Sequence, residues 1–411
     1  MYFLYDISIF VAGFVLRILS FFNEKVQLFV MGRNDTFQLL EEAIGKDDPT
    51  FWFHCASLGE FEQGRPVLEQ LADRHPEYKI VLSFFSPSGY EVQKHYEKAD
   101  VVVYLPLDSK SNVRRFLNLV HPSMAVFVKY EFWPNLLQEI KSRKISTFLI
   151  SAIFREEQIF FRPYGTWMRG ALKAFSHFFV QNEASLKLLN TIGIQEVTVS
   201  GDTRFDRVYA ILEQDNSLDF LNEFVSNRTI VVAGSTWPKD EELLTEFINT
   251  SGQEDLAFII APHQMDRERM EKLKLKLEKK SLLYSEGPPR PEDKVFIVDT
   301  IGLLTKIYSY ADVAIIGGGF DREGVHNVLE PAVFGTPIVI GPVFEKYQEA
   351  VDLVEQKGCL VAHDRQEFIN LLTDLVGDKH LRRQTGNICE NFILENKGAT
   401  EIIVEYLHQK L

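Results

Sequence analysis

The sequence predicts an α/β protein built from two doubly wound parallel sheets, and three observations lead there. At 411 residues the chain exceeds what one ordinary core organises and suits two domains of comparable size. Short β-rich runs alternate with longer helical patterns, the sign of parallel strands joined by crossover helices. Those runs fall into two series, separated by a polar stretch at 214–228. The first series is 51–55, 79–84, 101–104, 124–128, 146–150, 178–181 and 197–200. The second is 230–233, 257–261, 294–298, 313–316, 337–340 and 360–362. The expected division is a hydrophobic segment at 1–30, a first Rossmann-like domain at 31–212 and a second at 213–411. The last helical stretch, from about 378, is expected to cross back onto the first domain. Ligands of open α/β sheets sit at the carboxyl ends of strands, so both domains are expected to aim strand-end loops into a shared cleft.

Composition narrows the function. A formal charge of −14 argues against nucleic acid as a partner, because such binders need a basic face to neutralise phosphates. Cys55, Cys359 and Cys389 have neither disulfide nor zinc spacing and suit a reducing compartment. No two aspartates stand two apart. The Asp-x-Asp of many metal-dependent sugar transferases is therefore missing, and neither a metal nor another cofactor is expected in the chemistry.

The N-terminus is apolar over 7–16, bracketed by Asp6 and Arg17, too short for an uninterrupted span. It lacks the basic start and small-residue cleavage site of a secretory signal. On a helical wheel Asp6, Gly13, Arg17, Ser20 and Glu24 form one narrow stripe, with Ser8 alone on the apolar side. So wide a greasy face suits a membrane interface, a groove of the protein or a tilted anchor. A second stretch, Phe160-Phe161-Arg162-Pro163-Tyr164-Gly165-Thr166-Trp167-Met168-Arg169, interleaves aromatics with arginines. It suits a headgroup layer, or a helix with its aromatics in the core and its arginines in water.

Two motifs carry chemistry. Gly317-Gly318-Gly319 ends a strand, and His326-Asn327-Val328-Leu329-Glu330-Pro331 follows. Together they read as a nucleotide-sugar grip: glycines for close backbone approach, a helix start for phosphate, and a carboxylate one turn on for a ribose diol. A structural strand-to-helix turn is the plain alternative. His54-Cys55-Ala56-Ser57-Leu58-Gly59-Glu60 follows the first strand. There Gly59 permits a sharp turn, and Glu60 serves either as a general base or as a complement to the helix dipole. Glu62 reads as a solvated helix residue. Ser235 and Thr236 stand at a strand-to-helix turn, as ligand donors or as an N-cap pair. Glu131 is either a substrate-positioning carboxylate or half of a structural ion pair.

These motifs, with Lys-Tyr-Glu-Phe-Trp-Pro-Asn at 129–135, Gly-Asp-Thr-Arg-Phe-Asp at 201–206 and Ala-Gly-Ser-Thr-Trp-Pro at 233–238, occur in an order that resembles the bacterial 3-deoxy-D-manno-octulosonic acid (Kdo) transferases of lipopolysaccharide assembly. The resemblance runs over nearly the whole chain and implies the GT-B arrangement, two Rossmann-like domains facing a central cleft. It implies Glu60 as catalytic base, with Glu131 also important to activity. Asn327 and Glu330 are implied to hold the cytidine nucleotide, with Ser235, Thr236 and Gly318 as further donor contacts; Arg322 and His326 are candidate cations for the leaving phosphate, and Arg322 reads equally as a solvent-facing loop residue. Ser57 and Gly59 fall on the acceptor side.

The implied reaction moves Kdo from CMP-Kdo to a hydroxyl of the acylated, phosphorylated lipid A precursor (lipid IVA), with inversion. It would take place at the cytoplasmic face of the inner membrane. Departures from the family pattern are Lys129 in place of Glu, Pro262-His263-Gln264 in place of Pro-Arg-His, Val325 and Val328 where Gly and Pro are common, and Lys346-Tyr347 in place of Asn-Phe. The second of these passes a basic donor contact to His263 or Arg267. The alternative enzymes are another GT-B lipid-linked glycosyltransferase or a nucleotide-sugar epimerase; a non-catalytic nucleotide-sugar binder docked on the membrane is the reading outside enzymology.

Overall fold

The computed structural model describes residues 2–322 and 324–411. These divide into two compact units, Met1–Arg207 with Lys397–Leu411, and Val208–Asn396. Each is organised by one parallel sheet of seven strands among the described residues.

In the first unit the strands are β1 (Thr50–Cys55), β2 (Lys79–Phe84), β3 (Val101–Tyr104), β4 (Met124–Val128), β5 (Ser146–Ala152), β6 (His177–Val180) and β7 (Val197–Val199). Their spatial order is β3-β2-β1-β4-β5-β6-β7. The strands read as apolar runs because both faces are covered. Phe51, Phe53 and Phe84 pack on one side with Phe61, Leu68 and Leu71, while Trp52, Val81 and Phe127 pack on the other with Phe116. Side chains alternate along a strand, so His54 falls on the Trp52 side and lies fully buried.

The C-terminal helix Ala399–His408 lays Ile403, Val404 and Leu407 into the same core as Phe61 and Leu71. Arg74 pairs with Glu401 and Glu405 at the rim. Part-exposed ion pairs contribute about 0–1 kcal/mol each, whereas burying a branched aliphatic contributes about 1.5–3 kcal/mol. The apolar face therefore holds this helix in place.

Three helices precede the first sheet: α1 (Tyr2–Leu19), α2 (Glu24–Met31) and α3 (Thr36–Ala43). Helix α1 overruns the uncharged segment at both ends because its charged residues find partners. Asp6 pairs with Lys110 at 2.7 Å and accepts from Asn135 Nδ2 at 2.9 Å. The Tyr5 hydroxyl donates to Asp108 at 2.8 Å. The Gly13 Cα sits where a Cβ would meet Leu107 at 3.2 Å. The polar stripe thus faces the protein and the greasy face points outward, with Phe3, Phe10 and Phe14 more than 60% exposed. A groove-buried helix is excluded by this exposure, since α1 has no buried residue.

The aromatic stretch at 160–169 behaves differently. Phe160 is buried against Phe132 and Phe154, and Phe161 packs on the core. Trp167 meets the Tyr2 ring edge-on. Arg169 does not face water alone but donates to the carbonyls of Phe160 and Arg162. Of this stretch Tyr164 stands out, at 72% exposure.

The second unit carries β8 (Thr229–Thr236), β9 (Leu256–Pro262), β10 (Ser281–Leu283), β11 (Val295–Ile297), β12 (Val313–Ile316), β13 (Ile338–Ile340) and β14 (Cys359–Val361). The order is β10-β11-β9-β8-β12-β13-β14. The edge strand β10 is absent from the sequence reading: three residues, Ser-Leu-Leu, are too few to show a period.

In each sheet the winding reverses once, between β1 and β4 in the first and between β8 and β12 in the second. Loops diverge at such a switch point and leave a crevice at the carboxyl ends. Glu60 and Glu131 follow β1 and β4; Ser235-Thr236 and the triple glycine fall at the ends of β8 and β12. The motifs after β1, β4, β8 and β12 thus stand where a doubly wound sheet binds its ligand, whereas the motif at 201–206 follows the edge strand β7.

Candidate active site

In the first unit, β1 runs into α4 (Leu58–Arg74) with Ser57 as an extended N-cap. Glu60 lies in the first turn, and its Oε2 accepts from the Ala56 amide. That bond is a helix-start contact of the kind that stabilises a carboxylate. It is outweighed here. Burial first, and the neighbouring Glu131 carboxylate second, push Glu60 up to about 7 against the opposing pull of the Ala56 amide and Lys129. A carboxylate held near neutrality at a helix start has the proton affinity that removal of a hydroxyl proton at working pH requires. Gly59 lies inside the first turn of α4 with ordinary backbone angles, and no tight turn demands it. A Cβ there would meet only Ser57 Oγ, at 4.0 Å, so the glycine leaves open space beside Glu60.

Glu131 is buried and held by two donors. Trp133 Nε1 donates at 2.6 Å and His54 Nε2 lies at 2.9 Å. On the other side of the imidazole, Nδ1 lies 2.9 Å from Ser83 Oγ, which itself accepts from Trp52 Nε1 at 2.7 Å. Nδ1 also lies 3.1 Å from the Ser83 carbonyl, so both ring nitrogens are engaged, with Nε2 donating to Glu131. Glu131 is thus a positioned carboxylate with a buried histidine partner, not half of an ion pair with lysine or arginine among the described residues. Glu62, read as solvated, instead pairs with Arg207.

Two non-glycine residues at these strand ends, Lys129 and Ser151, adopt left-handed backbone with φ of 64° and 50°. Such strain persists where surrounding structure over-determines it, as at functional sites.

Linkage gives Glu60 a stability signature. Its folded-state value lies above the ordinary 4.5, so the native state holds the proton longer than the unfolded chain. Stability then falls as pH rises from 4.5 to about 7, and the cost is fully present above that. Glu60→Gln should therefore melt higher than the wild type at about pH 8, with the gap closing below pH 4.5. Calorimetry across this range checks it.

In the second unit, the helix Pro238–Thr250 follows β8 with Trp237, not Ser235 or Thr236, at its N-cap. Ser235 has φ of 53°, and the β8–β9 register shifts beside it. Buried Thr236 donates to Glu241 Oε1 at 2.9 Å, and Arg269 donates to the Thr236 carbonyl at 3.1 Å while pairing with Glu241. Arg267 is exposed and acts electrostatically on Glu286, so Arg269 is the arginine that reaches the β8 end. The side chain of Asp240 accepts from the amides of Trp237 at 2.8 Å and Gly318 at 2.9 Å. It thereby ties two strand-end loops together. Burial raises its carboxyl to about 6.

The triple glycine makes room for backbone of its own fold. A Cβ on Gly317 would sit 2.3 Å from the Ser235 carbonyl oxygen, and one on Gly319 2.6 Å from the Gly341 amide nitrogen. Gly318 has φ of 92°. Gly319→Ala should destabilise by about 1–3 kcal/mol, since backbone must move to admit the methyl, which a thermal melt reads.

Trp237, His263 and His326 stack, with His263 and His326 centroids 4.3 Å apart. Trp237 Nε1 donates to His326 Nε2 at 2.9 Å. Burial and then His263 depress His326 to about 4. His326 is therefore neutral at physiological pH and offers a ring N–H, not the positive charge of a phosphate-stabilising cation. Asn327 donates to Glu330 Oε1 at 2.9 Å, and Thr305 to Glu330 Oε2 at 2.9 Å. The helix that Glu330 opens is only Leu329–Ala332. One turn supplies little dipole, so it is a weaker phosphate cradle than the sequence implies. Arg322 is exposed.

Trp237, Asp240 and Arg269 were not singled out in the sequence. Trp237 stood inside a quoted motif, whereas Asp240 and Arg269 looked like ordinary charged helix residues.

Comparison with known proteins bears on both units. Residues 32–207 match the family model described as Glycos_transf_N, 3-deoxy-D-manno-octulosonic-acid transferase. A bifunctional glycosyltransferase/methyltransferase of Fusobacterium nucleatum is 24% identical over 387 residues, covering 90% of this chain and 59% of that protein. The chain thus spans about three fifths of that relative's length. The 3-deoxy-D-manno-octulosonic acid transferase of Rickettsia bellii is 26% identical over 395 residues, with 92% of each chain covered. That of Haemophilus influenzae is 26% identical, covering 87% of this chain and 86% of its own.

Among solved structures, UDP-GlcNAc 2-epimerase of Neisseria meningitidis superposes with a TM-score of 0.62 at 16% identity, over 88% of this chain and 100% of that one. MurG of Acinetobacter baumannii gives 0.55 at 13% identity, with the same coverages. These likenesses establish the fold, the two-Rossmann GT-B class. Residues 32–207 thus match the N-terminal domain model of the 3-deoxy-D-manno-octulosonic acid (Kdo) transferases, and about nine tenths of the chain is similar to curated members of that family of glycosyltransferases.

Proposed function

We propose that this protein transfers Kdo from CMP-Kdo to a hydroxyl of an acylated, phosphorylated lipid A precursor, with inversion at the anomeric carbon and no metal in the chemistry. The observation that carries the reading is Glu60, a half-buried carboxylate poised near neutrality at the switch point of the first sheet, beside Glu131. Glu60 takes the acceptor proton as the hydroxyl attacks. Glu131, fixed by His54 and Trp133, raises the basicity of Glu60 through like-charge proximity. The open space at Gly59, flanked by Ser57, admits the acceptor.

The donor lies on the second unit's switch point, with Ser235, Thr236, Gly318, Asn327 and Glu330 around the nucleotide. His263 and His326 supply an aromatic face, and the cations Arg267 and Arg322 come in from the exposed rim. The outward face of α1, an 18-residue helix of mean hydropathy 1.8, rests in the membrane interface on the cytoplasmic side, where a lipid acceptor is met.

The test is Kdo transfer in detergent from CMP-Kdo to a tetra-acylated lipid A precursor, with EDTA present and the product read by mass spectrometry. Turnover by the wild type and none by folded Glu60→Gln supports the reading. CMP binding without transfer to any acceptor refutes it. The pH profile is a second check. kcat/KM should fall with decreasing pH below about 7, as the base protonates. In Glu131→Gln the acid limb should move to lower pH, because one of the two causes raising Glu60 is gone.

A further inference from the structure

A cavity of about 300 Å³ opens between α1 and α2, walled by Gly13, Phe29 and Leu107 and lined by Arg17, Arg33 and Asn112. It belongs to the first unit and contains none of the residues assigned to chemistry. Its floor is unusual. The Arg33 guanidinium spends three N–H groups on backbone carbonyls, those of Leu105, Phe29 and Phe85. It lies over the Phe29 ring at 3.6 Å and near the rings of Phe85 and Tyr104 at 5.0 Å each. No carboxylate pairs with it among the described residues. Loss of water drags its proton affinity down to about 9, which marks a cation held without a counter-charge. Carbonyl oxygens and ring faces soften that cost, and an anion would remove it.

Arg17 reaches the same cavity from α1, exposed and likewise without a carboxylate partner among the described residues. Two uncompensated guanidiniums around one cavity stand out in a chain of net charge −14. A guanidinium has five donors in a planar fork, so Arg33 retains two for a ligand and Arg17 all five. Paired guanidiniums of this kind match phosphate oxygens.

The position of the cavity names the source of the phosphate. It opens beside the helix whose other face carries Phe10 and Phe14, and near the turn where Phe21 and Phe22 are 85% and 83% exposed. A lipid whose tails lie against those rings brings its headgroup to this depth. We propose that the α1–α2 cavity is a binding site for the phosphate headgroup of an anionic membrane phospholipid, separate from the acceptor site, which seats the enzyme on the bilayer. This inference rests on the interfacial reading of α1.

The test compares flotation of the full chain with vesicles of pure phosphatidylcholine and of phosphatidylcholine mixed with phosphatidylglycerol. The wild type should bind the mixed vesicles about five- to tenfold more tightly, the scale of one or two cationic contacts at a membrane surface. Arg17→Lys keeps the charge and loses the fork; it should forfeit most of that preference while binding neutral vesicles as before. Arg17→Gln should forfeit at least as much.

An unchanged preference in Arg17→Lys would mean diffuse charge attraction and overturn the site. Equal wild-type binding to both vesicle types would overturn it too, while leaving the interfacial helix standing. Failure to bind any vesicle would sink the reading of α1 and the site with it. If inorganic phosphate raises the melting temperature of the wild type but not of Arg17→Lys at an ionic strength where chloride does not, yet the wild type floats equally with both vesicle types, the cavity takes free phosphate and the lipid assignment falls. The transfer assay in detergent needs no bilayer, so its outcome separates failure of this site from failure of the enzyme assignment.

Discussion

Glu60→Gln is expected to lower Kdo transfer by about 10²–10⁴-fold, the range set by loss of a positioned general base. Binding of CMP-Kdo should be retained, because the groups that act on Glu60, namely Ala56, Lys129 and Glu131, belong to the first unit, whereas the proposed donor contacts belong to the second. The amide preserves the acceptor for the Ala56 N–H and the shape of the first turn, so a loss of activity cannot be ascribed to a frayed helix start. The measurement is kcat/KM alongside donor affinity by calorimetry. A loss confined to kcat would fit a group acting on the transition state, whereas a rise in KM alone would make Glu60 a binding residue. The same substitution should raise the melting temperature above neutrality, since it removes a carboxylate that burial holds near 7. Lower activity with higher stability is a pairing that a merely structural residue would not produce.

Asp240→Ala should cost about 2–5 kcal/mol of stability and weaken donor binding with it. One carboxylate oxygen accepts from both the Trp237 and Gly318 amides. Each charge-assisted bond contributes about 1.5–3 kcal/mol, and truncation leaves two amide donors without their acceptor. Asp240→Asn keeps an oxygen at that place and sheds a carboxylate that burial raises to about 6. It should therefore stay much closer to the wild type. Thermal melts and CMP titration on the three proteins test this contrast. Equal behaviour of the alanine and asparagine variants would show that the carbonyl-like acceptor is not what holds the glycine loop.

Much of this molecule was legible in its sequence, for reasons that are physical. Parallel strands covered on both faces must be apolar throughout, so thirteen of the fourteen appear as short runs such as Phe-Trp-Phe-His-Cys of β1. The two motifs proposed here for catalysis and donor binding stand out in the sequence as uncommon residue types grouped just after apolar runs.

Partners distant in sequence were not visible. That Glu131 meets His54, 77 positions away, and that Asp240 spans to Gly318, 78 positions away, depends on which strands become neighbours. Arg269 rather than Arg267 reaches Thr236 because of the pitch of one helix. The near-neutral Glu60 and the uncharged His326 are properties of burial, which no spacing encodes. For α1, the periodicity determined that one narrow stripe is polar and the rest greasy. Only the tertiary structure decided that the stripe turns inward, because Lys110, Asn135 and Asp108 were waiting for it. The apolar face was left exposed.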